Sequence, residues 1–248
     1  MTTDVAGAQS FYGDLLGWSF VDAGMPEGEY HLFSADEPPV GGLMPITSEM
    51  KSNGAMPMWA GYIGVDDVDQ SVTAASGAGG KVLMPPWDID GVGRMAMLAD
   101  PQGAPFYVMR GSSSETSESF SEETPRNGHC AWNELASADP SGADTFYSAL
   151  FGWEKAQTMD MGPMGEYGLY KNSGQRSFMQ SGIMKKPDEV PVSMWSYYFR
   201  VANIDGAVKS INANGGRVLN GPMEIPGDEF AVNALDPQGA MFSIVGVR

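Results

Sequence analysis

The side chains able to do metal, nucleophilic or redox chemistry are few, and they do not cluster. Histidine occurs twice, at His31 and His129, and cysteine once, at Cys130. One cysteine cannot close an intrachain disulfide. Two histidines, one in each half of the chain, cannot build a metal site in each half without carboxylate help. The carboxylates that stand out have structural readings. Asp66 and Asp67 precede a helical pattern as an N-cap, and Asp100 and Asp236 open turns. His31 sits in the hairpin segment GEYHLF and His129 just ahead of a strand; both read as solvated surface residues.

The elements that must position any site occur twice. FYGDLLGW at 11–18 returns as FYSALFGW at 146–153, and GEYHLF at 28–33 as GEYGLY at 165–170. MW at 58–59 returns at 194–195, GGKVL at 79–83 as GGRVL at 215–219, and ADPQGAPF at 99–106 as LDPQGAMF at 235–242. Such end-to-end self-similarity is a duplicated module rather than a solenoid. Asp139-Pro140 opens a helix as N-cap and first-turn proline, and Ala143, Phe146, Tyr147, Leu150 and Phe151 recur on one helical face up to Gly152. Asp4 through Leu16 reads the same way, stopped by Gly17. Second helices fall over 68–76 and 204–214, each preceded by an aromatic strand (WAGYIGV, WSYYFRV) and closed by paired glycines. Short strands follow, the last two of each copy joined by DPQG turns. The fold class is α+β: four β-α-β-β-β units forming curled mixed sheets, helices outside. Module one spans 1–110, a Ser/Glu-rich linker 111–128, and module two 129–248. Module two begins with the strand HCAWNEL at 129–135, for which the first module has no counterpart. That leaves a bare edge, read as a truncated start; linker residues filling the slot is the less favoured alternative.

Composition narrows the function classes. Fourteen Lys and Arg face 31 Asp and Glu, a net charge of −17. So acidic a chain is repelled by nucleic acid and by anionic membrane surfaces, so neither is an expected partner. No apolar run is long enough to cross a membrane, and the reading is a cytoplasmic protein, monomeric or a weak homodimer.

The motifs FY..LFGW, V.DVD.S...A...GG.V and the terminal DP.G..F hairpin resemble the vicinal oxygen chelate superfamily of glyoxalase I, bleomycin-resistance proteins and extradiol dioxygenases. The resemblance runs over almost the whole chain as two tandem glyoxalase-like modules. It implies a cleft that, in the enzymes, holds a divalent metal on His, Gln or Glu. Carried over by spacing, those ligand positions fall here on Trp132, on Ala60 and Ser196, and on Tyr107 and Ser243. None is a suitable ligand, so no bound metal and no cofactor are expected.

With Trp132 at a ligand position, strand alternation turns Glu134 inward with it. It likewise turns in Tyr62, Tyr107, Ser196, Tyr198 and Ser243, with Trp59 and Trp195 counted in the same aromatic lining. Walls of Trp, Tyr and Met suit a flat, partly apolar small molecule, and adaptable methionines add to this. Trp87-Asp88 and EIPGDEF read as loops able to act as lids. Glu134 is the candidate acid or base, since a carboxyl among aromatic rings is held protonated to higher pH. Its ordinary reading is a carboxylate satisfied by tyrosine hydroxyls or backbone donors. The expectation is a metal-independent binding protein for an aromatic small molecule. The alternative is a glyoxalase-, lyase- or hydroxylase-type enzyme using Glu134 and tyrosine hydroxyls.

Overall fold

The computed structural model describes residues 1–26, 28–120, 124–172 and 178–248. The elements follow the β-α-β-β-β order four times, except that among the described residues no strand precedes α1 in the first unit. That unit holds α1 (Val5–Leu16), β1 (Ser19–Asp22), β2 (His31–Ser34), β3 (Gly41–Leu43) and the short α2 (Ser48–Ser52). The second is β4 (Tyr62–Gly64), α3 (Val68–Gly77), β5 (Lys81–Ile89), β6 (Gly93–Ala99) and β7 (Pro105–Gly111). The third is β8 (Cys130–Ser137), α4 (Pro140–Phe151), β9 (Glu154–Asp160), β10 (Glu166–Lys171) and β11 (Met179–Lys185). The fourth is β12 (Met194–Arg200), α5 (Ile204–Ala213), β13 (Arg217–Ile225), β14 (Glu229–Leu235) and β15 (Met241–Gly246). The expected α+β class with mixed sheets is what the chain adopts.

The helix boundaries follow from local chemistry. The carboxylates of Asp4, Asp67 and Asp139 and the amide oxygen of Asn203 each accept an N–H of the first turn they precede. α1 and α4 stop at Gly17 and Gly152, at φ of 73° and 66°, where a side chain would be strained. No helix among the described residues is long and apolar enough to cross a membrane.

The chain forms two compact units, and they cut it differently from the sequence repeat. Unit 1 is Met1–Trp59, Ser117–Trp132 and Tyr197–Arg248; unit 2 is Ala60–Thr116 and Asn133–Ser196. Each takes one half-module from each copy.

In unit 1, β1, β2 and β3 pair antiparallel. β13, β14 and β15 form an antiparallel run, and β12 joins β15 in parallel with Tyr198 opposite Ser243. Its core packs Ala8, Phe11, Tyr12 and Leu16 of α1 with Ile204 and Ile211 of α5 and with Val232, Phe242 and Ile244. Burial of that many large apolar side chains, each contributing about 1.5–3 kcal/mol, is what holds the unit. Thr2 bridges Pro45, and Met1 and Met58 exchange backbone hydrogen bonds. Of the linker, Phe120 bridges Cys130 at the start of β8, and 121–123 lie outside the described residues.

In unit 2, β4 pairs β7 in parallel, and β7, β6 and β5 continue antiparallel. β8 pairs β11 in parallel, with β10 and β9 following antiparallel. Phe106 of β7 packs against Phe146 and Tyr147 of α4, and Leu98, Val108, Leu135 and Ile183 are buried with them.

Candidate functional site

The repeated aromatic motifs build a buried hydrogen-bond relay in each unit. In unit 1, Trp59 Nε1 donates to the Tyr12 hydroxyl at 2.9 Å, and that hydroxyl donates to Asp236 Oδ2 at 2.9 Å. In unit 2, Trp195 Nε1 donates to Tyr147 at 2.9 Å and Tyr147 to Asp100 Oδ2 at 3.3 Å. The other oxygen of each aspartate accepts two backbone N–H groups of its own DPQG turn. Burial lifts the Asp100 carboxyl above the usual range, against the pull of the Ala104, Gln102 and Tyr147 donors. Burial, reinforced by the Asp236 charge, pushes the Tyr12 phenol well above its ordinary value. Trp59 and Trp195 are thus bound to helix tyrosines through their indole N–H groups, Trp195 buried and Trp59 partly buried. Their indole N–H needs a buried acceptor, and the helix supplies it.

Faces turned away from the helices carry the remaining candidates. In unit 1, Trp132 packs against Tyr198, Ala231 and Val245. Asn233 Nδ2 donates to Ser243 Oγ at 2.8 Å and to the Tyr198 hydroxyl at 3.2 Å. Arg200 and Glu229 form a two-pronged ion pair at the end of the same strands. Tyr198 is 7% exposed and Ser243 fully buried, so this face is packed.

In unit 2, Tyr62 lies parallel to Tyr107, with centroids 4.5 Å apart and 9° between planes, and Trp87 stands edge-on to Tyr107 at 6.2 Å. Tyr62, the counterpart of Tyr198, is 50% exposed. The register places Met97 opposite Tyr107 and Met84, and Met95 opposite Trp87 and Met109. Trp87 therefore belongs to β5 and is no loop lid. EIPGDEF likewise runs from the end of β13 through a tight turn into β14. Ser196 is buried on β12.

On another face of unit 2, the Tyr167 hydroxyl donates to Glu134 Oε2 at 2.9 Å. A β-carbon at Gly182 would overlap that hydroxyl, so glycine there lets the ring lie flat across β11. Tyr167, which the repeated GEY tripeptide signals, is the hydroxyl partner of Glu134. Asn233, Arg200 and Glu229 carried no sequence signal.

The remaining reactive groups are accounted for. His129 is 1% exposed, a correction to its surface reading. Its Nδ1 faces the Glu118 carbonyl at 2.8 Å and its Nε2 faces Asp36 at 3.1 Å, beside Arg126. It ties Glu118 to Asp36 in the loop after β2, and Trp18 Nε1 donates to the Gly128 carbonyl at 2.7 Å. His31 pairs with Glu29 at 2.9 Å. Burial pushes the Cys130 thiol up to about 12, so it is no nucleophile at neutral pH.

The residues at the ligand positions of the resemblance do not fit a chelated metal. Trp132, Ala60, Ser196, Tyr107 and Ser243 offer neither imidazole nor carboxylate. Among the described residues, no group of three or more His, Cys, Asp or Glu comes together.

Comparison with known proteins agrees with this architecture. The family model described as Glyoxalase/Bleomycin resistance protein/Dioxygenase superfamily matches residues 1–108 and 126–244. The Mycobacterium bovis protein CFP32, provisionally named a glyoxylase, is 33% identical over 247 residues, covering 98% of this chain and 91% of the relative. The anthracycline biosynthesis protein DnrV of Streptomyces peucetius is 32% identical over 259 residues, covering 99% and 90%. Among solved structures, 2,2',3-trihydroxybiphenyl 1,2-dioxygenase from Sphingomonas wittichii aligns with a TM-score of 0.64 at 15% identity, over 98% of this chain and 85% of that one. The Mn(II)-bound glyoxalase from Novosphingobium aromaticivorans aligns with a TM-score of 0.59 at 17% identity, over 99% and 79%. At such identities these two likenesses speak to the fold alone.

Proposed function

This chain belongs to the glyoxalase/bleomycin resistance protein/dioxygenase superfamily, and we propose that within it the chain is a metal-independent binding protein for a planar aromatic small molecule. Fold does not fix function, so the reading rests on the site. The observation that carries it is the half-exposed Tyr62 ring stacked on Tyr107, with Trp87 edge-on, on a sheet face turned away from the helices. A stacked tyrosine pair with one ring half exposed offers a flat surface for a planar guest. The neutral residues at the ligand positions support metal independence. The relative named for anthracycline biosynthesis supports an aromatic ligand. The compartment we propose is the cytoplasm, with the chain as a monomer or weak homodimer that binds no nucleic acid.

The test is calorimetry with an uncharged tricyclic aromatic in excess EDTA. Saturable binding is expected, weakened by roughly tenfold or more in Tyr62→Ala, since base-on-aromatic stacking measures about 1–3 kcal/mol. Binding that appears only after adding Ni, Zn, Mn or Fe(II) would overturn the reading.

A second reading, an enzyme, has one specific observation behind it: the Tyr167–Glu134 hydrogen bond presents an oriented carboxylate on a sheet face. A mass change in the bound compound, lost in Glu134→Gln, would favour it.

A further inference from the structure

We infer that the tip of the β9–β10 hairpin in unit 2 is a thioether site for a cuprous ion, held by Met159, Met161 and Met164. It lies on other strands than the Tyr62–Tyr107 pair and uses none of the ligand positions of the resemblance, so it is independent of the binding reading above.

Three of the chain's 18 methionines fall in the single run MDMGPM at 159–164. Backbone pairing sets where they stand. β9 and β10 run antiparallel, with Met159 opposite Tyr167 and Asp160 opposite Glu166. The ladder continues one rung past β9, because the Met161 N–H donates to the Gly165 carbonyl at 2.9 Å. The Met164 N–H donates back to the Met161 carbonyl at 3.4 Å and closes the tip. Met159 and Met161 are two residues apart on one paired edge, so their side chains share a face and their α-carbons stand about 7 Å apart. Met161 and Met164 bracket a turn, which holds their α-carbons within about 7 Å. Gly162 and Gly165, at φ of 61° and 83°, permit that reversal. The unbranched, three-torsion methionine side chain spans such gaps, so the three sulfurs can converge on one ion.

The ligand chemistry selects a soft, singly charged ion. Thioether sulfur favours Cu(I), whereas carboxylate and carbonyl oxygen favour hard divalent cations. Core filling does not account for these side chains. Met164 is 51% exposed at the tip, and Met159 and Met161 are only partly buried at a sheet edge whose other residues face solvent. Charge agrees with a cation. From 156 to 170 the sequence carries Asp160 and Glu166 and no Lys, Arg or His, so the hairpin itself sets no positive charge against the ion. Rival soft ligands are engaged elsewhere. Burial keeps the Cys130 thiol protonated, His129 lies between the Glu118 carbonyl and Asp36, and His31 pairs with Glu29.

Two titrations of the full chain test the site. In the first, protein labelled at its methionine methyl groups is followed by NMR as Ag(I), a redox-inert stand-in for Cu(I), is added. One equivalent is expected to shift the signals of Met159, Met161 and Met164 together, assigned through the single variants Met159→Leu, Met161→Leu and Met164→Leu. In the second, Cu(I) in anaerobic ascorbate is competed against bicinchoninate. Met161→Leu should weaken retention by about tenfold or more, because even residues one shell removed from a metal change its affinity by roughly 10- to 100-fold. Leucine conserves volume, so circular dichroism should stay unchanged. Absence of any methyl shift with Ag(I) would overturn the site. Shifts confined to other methionines, such as Met56 and Met58, would overturn its placement. Undiminished Cu(I) retention in Met161→Leu combined with Met164→Leu would overturn the thioether ligands.

Discussion

Removing one oxygen, by Tyr147→Phe, tests the relay that the repeated motifs build. The ring itself is fully buried and keeps its packing against Phe106 and Trp153, so apolar burial is unchanged. Two polar groups lose their partner. Trp195 Nε1 loses an acceptor at 2.9 Å, and Trp195 is buried enough that water does not replace it. Stranding such a donor costs about 1–3 kcal/mol. Asp100 Oδ2 loses a donor at 3.3 Å, but Oδ1 keeps the Gln102 and Ala104 amides, so the loss there is about 1 kcal/mol. The sum is roughly 2–4 kcal/mol, read as a lower midpoint in urea unfolding followed by tryptophan fluorescence. Trp195→Phe combined with Tyr147→Phe should cost less than the two single changes added, because the stranded indole is then gone. A loss under about 0.5 kcal/mol for Tyr147→Phe, or strict additivity in the pair, would refute the account.

Cutting the chain at a protease site inserted among the exposed residues 112–115 should not separate the pieces. Each compact unit contains segments from both sides of that cut, so the fragments should co-elute in native gel filtration and part only in denaturant. For Asp100, a carboxyl raised by burial favours its protonated form in the fold. Its stabilising contribution is complete below the unfolded value near ~3.9 and is lost as pH rises through the raised folded value. The stability of Asp100→Asn minus that of the parent should therefore climb with pH from about 3.5 upward across that window; a flat difference would contradict the burial argument. Gly182→Ala should displace the Tyr167 ring and break its contact with Glu134, at a cost of about 1–3 kcal/mol, checked by the ring's proton shifts in NMR spectra.

The fold was legible because its signals are local. Asp139-Pro140 and Gly152 bracket a helix whatever lies around them, and DPQG turns a chain between strands from four residues alone. Pairing partners were not legible in that way. Nothing in FYGDLLGW says that Tyr12 bonds Asp236, from the other sequence copy, rather than Asp100 from its own. Duplication makes both aspartates chemically equal, and only packing chooses between them. The surroundings of the site residues were illegible for the same reason. Trp59 and Trp195 read as lining because alternation gives a face, and their tyrosine partners on the helices come from packing. His129 read as surface because Glu118 and Asp36, its two partners, lie well apart from it in the sequence.

Duplication also explains how one scaffold carries two different faces. Tyr62 and Tyr198 occupy matching positions on matching strands, yet one is 50% exposed and the other 7%. The difference lies in their surroundings. In unit 1, Trp132 at the leading strand lies against Tyr198, and Asn233 bonds its hydroxyl from β14, reaching across the intervening β15. Around Tyr62 the residue at the matching place on β6 is Met97, which adapts in shape but offers no amide N–H. The same backbone register therefore presents a buried polar cluster in one copy and a half-exposed aromatic pair in the other. Replacing Met97 by Asn would import the unit 1 arrangement into unit 2. It should tie down the Tyr107 region and weaken aromatic binding about tenfold, a shift of ~1.4 kcal/mol, read against unchanged circular dichroism. Undiminished binding would mean that the openness of Tyr62 is set elsewhere than in this cross-strand row.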